Sequence, residues 1–177
     1  MRWSIAHAIA GLGAALMIAA SVRAAEPAQA TSPDGRWQVR AEGLAVAVFD
    51  GGTRVKTLAA RRRDGQQAST VAEVHAVPQR RSFVIAFDSL AELWELSIDP
   101  DAEPLFDGLV HDYRLNEGLA EPGFLGVRRT PLAAPLHDLR IDDSGAFVLG
   151  REKGEGGALR LVQLDVRRAI ARFSAPK

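Results

Sequence analysis

One turn-and-strand pattern occurs three times along this chain, and it limits the possible folds more than any other feature. A polar turn at Ser32-Pro33-Asp34-Gly35 leads into Trp37-Gln38-Val39-Arg40, and residues 44–49 follow. A second turn, Val77-Pro78-Gln79-Arg80-Arg81, leads into residues 82–87 and then 93–98. A third, Asp142-Asp143-Ser144-Gly145, leads into residues 146–149 and then 159–166. Turn chemistry of this kind closes tight hairpins. The later segment of each unit alternates. Leu93, Glu95 and Ser97 share one side while Trp94, Leu96 and Ile98 share the other. Leu159, Leu161, Gln163 and Asp165 alternate likewise with Arg160, Val162, Leu164 and Val166. Successive side chains of a strand point to opposite faces, so period two over this length predicts half-buried antiparallel strands.

The closing phrases also match. FDGGTRVKTL at 49–58 and LDVRRAIARF at 164–173 each place an Asp at a strand end, then a turn, then a short final strand. A short amphipathic helix over 166–173 fits propensity, but the parallel between units favours a hairpin. The pattern predicts an all-β chain of β-propeller blades, with strands over 37–40, 44–49, 71–74, 83–87, 93–98, 147–150 and 159–165. Trp37 and Phe83 stand 46 residues apart, close to the usual blade period, and Phe83 and Phe147 stand 64 apart. The excess falls in residues 104–135. About three to four blades result, while closed rings have typically four to eight. A partial or small propeller is therefore expected. An open arc would leave strand edges that invite pairing, with a second copy or with a complementary propeller fragment.

Residues 1–25 read as a signal peptide and 26–177 as the propeller-like domain. Met1-Arg2 is a short basic start, and residues 5–20 are apolar. Val22-Arg23-Ala24 and Ala28-Gln29-Ala30 both end in the small residues a signal peptidase reads. The apolar run is short for a bilayer span, which predicts cleavage, a periplasmic location and no membrane attachment afterwards. The chain has no cysteine, so thiolate zinc sites, iron–sulfur clusters and covalently attached c-type haem are excluded. It carries 22 basic and 22 acidic residues, and this balance removes any global attraction to nucleic acid or anionic membrane. Arg61-Arg62-Arg63, before Asp64-Gly65, reads as a solvated turn or else as an anion or partner contact.

Residues 98–129 are dense in turn signals: Asp99-Pro100, Glu103-Pro104, Asp107-Gly108, His111-Asp112-Tyr113-Arg114 and Glu121-Pro122-Gly123. Such density predicts a long ordered loop over 104–135, buried through Phe106, Leu109, Val110, Tyr113, Phe124 and Leu125. From Thr70 onward the chain resembles the cytochrome cd1-type, haem d1 propeller family, and is closest to its NirF-type branch of haem d1 biosynthesis proteins. The resemblance rests on Ser82-Phe83-Val84-Ile85-Ala86, on 93–100 (LWELSIDP) and above all on 107–114 (DGLVHDYR). It continues through 117–125 (EGLAEPGFL), 128–132 (RRTPL) and 163–168 (QLDVRR).

The resemblance implies a periplasmic eight-bladed propeller of denitrification, related to nitrite reductase, with haem d1 or its precursor bound over the central channel. For the NirF-type branch it implies a late step, dehydrogenation of the dihydro precursor. The present chain is under half the family's length, and no residue here matches the family's haem-ligand histidines.

The candidate cofactor-binding residues are His111, Tyr113, Arg114 and Arg128. In one reading His111 faces a tetrapyrrole, and Arg114 or Arg128 pairs with its carboxylates. In the other, the run locks its own loop through Arg–Asp pairing. His75 and His137 sit in strand contexts and read as structural; Trp37 and Trp94 read as core. No spacing of His and carboxylates suggests a metal site, and there is no phosphate loop or nucleophile elbow. The expected function is that of a periplasmic haem d1-related protein, with enzymatic activity left open. The alternative is a non-catalytic propeller fragment acting as an interaction module, or a truncated remnant.

Overall fold

Twelve strands form three sheets in the computed structural model, which describes residues 26–105, 120–154 and 156–174. The first sheet holds β1 (Gln29–Thr31), β2 (Trp37–Glu42), β3 (Ala45–Asp50) and β4 (Thr53–Ala59). The second holds β5 (Val71–Val77), β6 (Ser82–Phe87), β7 (Glu92–Ser97) and β8 (Val127–Pro131). The third holds β9 (Leu136–Ile141), β10 (Phe147–Glu152), β11 (Leu159–Gln163) and β12 (Arg168–Phe173). Each sheet is an antiparallel meander in chain order, the arrangement of a propeller blade. The chain is all-β, and its described residues form a partial propeller of three blades. β1, β5 and β9 are the inner strands, and β5 lies against both of the others.

The first and third turns are built alike. Ser32 Oγ accepts a bond from the Trp37 amide at 2.9 Å, and Asp142 Oδ1 accepts one from the Phe147 amide at 2.8 Å. Gly35 and Gly145 each take φ of 72°, a left-handed conformation that glycine adopts at no steric cost. The middle turn solves the same problem without glycine. A 3-10 turn, Pro78–Arg80, ends on Arg81 at φ 47°.

Blades stack face to face, and the alternation decides which neighbour each residue meets. All six positions of β6 are buried because both its faces are covered. Phe83, Ile85 and Phe87 join Trp94 and Leu96 in a core shared with Trp37, Val39, Val46 and Val48 of the first blade. Val84, Ala86 and Leu93 join Leu136, Leu139, Val148, Val162 and Leu164 between the second and third blades. Trp37 and Trp94 are core residues, as expected, at 7% and 1% exposure.

Three expectations need correction. Residues 104–135 are not one loop, because β8 runs through them and pairs with β7. Val127 and Thr130 are its buried positions, and the Arg pair between them hides the alternation. Pro131 is tolerated because β8 is an edge strand and ends there. Second, each blade begins one strand before its polar turn, with β1, β5 or β9. β1 is three residues long, too short to show a period. Third, the ends of the arc leave sheet faces open rather than edges, since blades pack through faces. The first blade seals its own outer face: the Arg40 and Arg54 guanidinium carbons lie 5.2 and 5.3 Å from the Phe49 ring centre, and Arg54 pairs with Glu42 at 2.8 Å. The third blade leaves Phe147, Leu149, Leu159 and Leu161 half-buried on its outer face. The hairpin expected over 166–173 is present, as β12 against β11.

Candidate functional site

A cleft of about 360 Å³ opens where the first blade's β1–β2 turn meets the second blade's β5–β6 turn. Its floor is apolar, formed by Trp37, Val77, Pro78 and Ile98, with Phe124 as a wall. Phe124 stands edge-on to Trp37, with ring centres 5.8 Å apart at 80°. It is 37% exposed. Trp37 is placed by the Ser32 turn: the Ser32 hydroxyl holds its amide, and the Ser32 amide donates to the Trp37 carbonyl at 2.8 Å.

Two guanidiniums line the cleft. Arg36 forms a forked pair with Asp50, Nε to Oδ1 at 2.6 Å and Nη2 to Oδ2 at 2.8 Å, and its guanidinium carbon lies 5.3 Å from the Trp37 ring centre. Arg81 pairs with Asp99 at 2.8 Å. The Arg36 bond holds the Asp50 carboxyl below its usual range, and the same bond raises the guanidinium. Asp34, also lining the cleft, is lowered by the Ser32 hydroxyl and the Arg36 amide. The charges here persist through neutral pH. What the site offers chemically is an aromatic and aliphatic slot suited to a flat apolar group; Arg36 and Arg81 keep unused guanidinium donors beside it, each already paired with a carboxylate, and Asp34 adds a third negative charge.

Of the candidate residues read from the sequence, Arg128 alone falls among the described residues. His111, Tyr113 and Arg114 lie outside the described residues, as do Phe106, Leu109 and Val110. Leu105 and Glu121 bond to each other through both backbone amides, at 2.8 and 2.9 Å, and Pro100 and Phe124 line the cleft itself. Arg128 sits on β8 directly opposite Glu95. That face of the second blade turns toward the third, so Arg128 does not line the cleft. His75 is tied to Glu73 at 2.8 Å, and His137 to Asp138 at 3.1 Å, in keeping with structural roles. Among the described residues no cluster of His and carboxylates could hold a metal ion. Reading the sequence missed Arg36, Arg81 and Ile98 as site residues. They come from three separate turns and strand ends, and only the adjacency of Arg36 and Trp37 hinted at them.

Among the described residues no helix is long and apolar enough to cross a membrane. No protein-family model matches the chain, and no curated protein matches it. Among solved structures it is similar to NirN, a dihydro-haem d1 dehydrogenase in complex with DHE, at 23% identity and a TM-score of 0.64. The match covers 83% of this chain and 28% of that one, so the chain spans little more than a quarter of NirN's length. At this level of identity the likeness shows the fold, a portion of a β-propeller.

Proposed function

We propose that this chain is a periplasmic haem d1-related module, similar to the NirF-type branch, that binds haem d1 or its dihydro precursor at the cleft between the first two blades. The observation that carries this reading is that Trp37, Phe124, Arg36 and Arg81 line one cleft. The aromatic pair would take the edge of the macrocycle and the guanidiniums its carboxylates. His111, Tyr113 and Arg114 are the further contacts this reading assigns to it. Arg128, facing the third blade, fits a structural role better. The bound tetrapyrrole would supply any redox chemistry, and the described residues supply binding and orientation.

An absorption titration tests the reading. Adding mature protein at micromolar concentration to haem d1 or its dihydro form should shift the tetrapyrrole bands and quench Trp37 fluorescence. Arg36→Gln with Arg81→Gln should weaken binding about tenfold, on the scale of a charge-assisted hydrogen bond. An unchanged spectrum for both compounds overturns it.

A second reading, an interaction module, is favoured by the half-buried leucines on the third blade's outer face. A second copy or a complementary propeller fragment would cover them. Leu161→Asp should then abolish association seen by sedimentation at tens of micromolar. A monomeric parent protein that recovers no partner from its native periplasm rules this reading out.

A further inference from the structure

A second cleft, of about 280 Å³, lies between the outer strands of the first and second blades, and cations dominate it. Lys56 of β4, Arg61, Arg62 and Arg63 of the β4–β5 connection, and Arg129 of β8 all line it. Glu121 is the one carboxylate among its lining residues. In a chain with equal numbers of acids and bases, this is a strong local departure.

Two of the cations are held in place by neutral partners. Lys56 Nζ donates to the Leu125 carbonyl at 2.8 Å, which fixes the ammonium and leaves two donors free. Arg129 lies 4.2 Å from the Trp94 ring centre and donates to the Arg61 carbonyl at 3.0 Å, drawing the Arg61 backbone to the cleft wall. Three of the five, Arg129 among them, are partly neutralised. Arg62 pairs with Asp64 at 2.9 Å, Arg63 with Glu121 at 3.4 Å, and Arg129 with Glu92 at 3.4 Å. Neither Lys56 nor Arg61 has a carboxylate partner among the described residues. Like charges gathered in a cleft repel one another unless an anion joins them.

We infer that this cleft is a phosphate-binding site, independent of the tetrapyrrole reading. A single carboxylate would satisfy only one or two donors. A phosphate dianion carries several strong acceptor oxygens and could be shared by Lys56, Arg61 and Arg129 at once. The phosphate group is either free or borne by a lipid headgroup, and both present the same oxygens to the cleft.

Calorimetric titration of the mature protein in low salt, with inorganic phosphate, with pyrophosphate, and with vesicles of anionic phospholipid, tests the inference. Saturable binding is expected in at least one arm, and the arm that responds assigns the source. Raising the salt from 50 to 200 mM should weaken it severalfold. Lys56→Gln with Arg61→Gln should weaken it about tenfold or more, the loss of one or two charge-assisted bonds. Arg168→Gln, on the third blade, should leave it unchanged. Arg61 is exposed, so Arg61→Gln alone keeps the test open if the double variant fails to fold. No saturable heat in any arm, equal binding by the cleft variants, or equal weakening by Arg168→Gln overturns the inference.

Discussion

Truncating Glu95 should separate a buried charge pair from the surface pairs that dominate this molecule. The Glu95 side chain on β7 is 3% exposed. It accepts bonds from Arg80 Nε at 2.7 Å, Arg80 Nη2 at 3.3 Å and the Ser82 hydroxyl at 3.1 Å. Arg80, 18% exposed, also reaches Asp165 of the third blade at 2.6 Å, so one guanidinium ties two blades. Breaking a buried pair from one side costs about 3–5 kcal/mol, because the remaining charge is stranded. In Glu95→Ala the stranded guanidinium keeps Asp165 and some water, which lowers the cost to about 2–3 kcal/mol. In Arg80→Ala the carboxylate is left with only the Ser82 hydroxyl, and the full range of about 3–5 kcal/mol applies. Asp165 is 55% exposed, so Asp165→Asn should cost no more than about 1 kcal/mol. Urea unfolding of the mature protein should give the order Arg80→Ala, Glu95→Ala, Asp165→Asn, with a fall in Tm of roughly 4–12 °C for Glu95→Ala. If Glu95→Ala and Asp165→Asn agree within about 0.5 kcal/mol, burial of the Arg80–Glu95 pair adds nothing beyond the exposed bond to Asp165.

Glu152, bound by Arg160 and by Arg172 at 3.0 Å, is held below its ordinary value chiefly by the Arg160 bond. A carboxyl lowered in the folded state contributes stability that is present above its unfolded value and lost as pH falls through the folded one. Stability measured below about pH 4 should therefore fall in the parent, and fall less steeply in Glu152→Gln; parallel profiles would refute the assignment. Gly123→Ala should destabilise by about 1–3 kcal/mol. Its Cβ would stand 2.2 Å from the Glu103 carbonyl oxygen, and unchanged thermal unfolding would show that the two segments part freely. Mass spectrometry of the exported protein should place the new N-terminus upstream of Ala28. The Ala28 carbonyl accepts the Ala41 amide at 2.8 Å and β1 begins at Gln29, so a terminus at Thr31 would show that the inner strand is dispensable.

The local features of this fold were legible in the chain itself. Alternation in Leu93–Ile98 and 159–166 marked strands whose two faces meet different neighbours, because strand geometry alone sets a period of two. The turns at Ser32 and Asp142 announced themselves through short polar side chains and a glycine, whose bonds span only a few residues. Features that depend on distant partners were not legible. Three residues of β1 carry no period, and they become a strand because β2 and β5 supply the bonds and the packing. β8 is disguised by Arg128-Arg129 and Pro131 until β7 aligns it. The first cleft has no contiguous motif, and of the second only the run Arg61-Arg62-Arg63 stood out in the chain. Trp37 meets Phe124, and Lys56 meets Arg129, only because stacking the blades brings turns and edge strands from far apart in the chain to one place. The resemblance over residues 107–114 directed attention to His111, while the two described clefts come from side chains that blade-on-blade packing assembles.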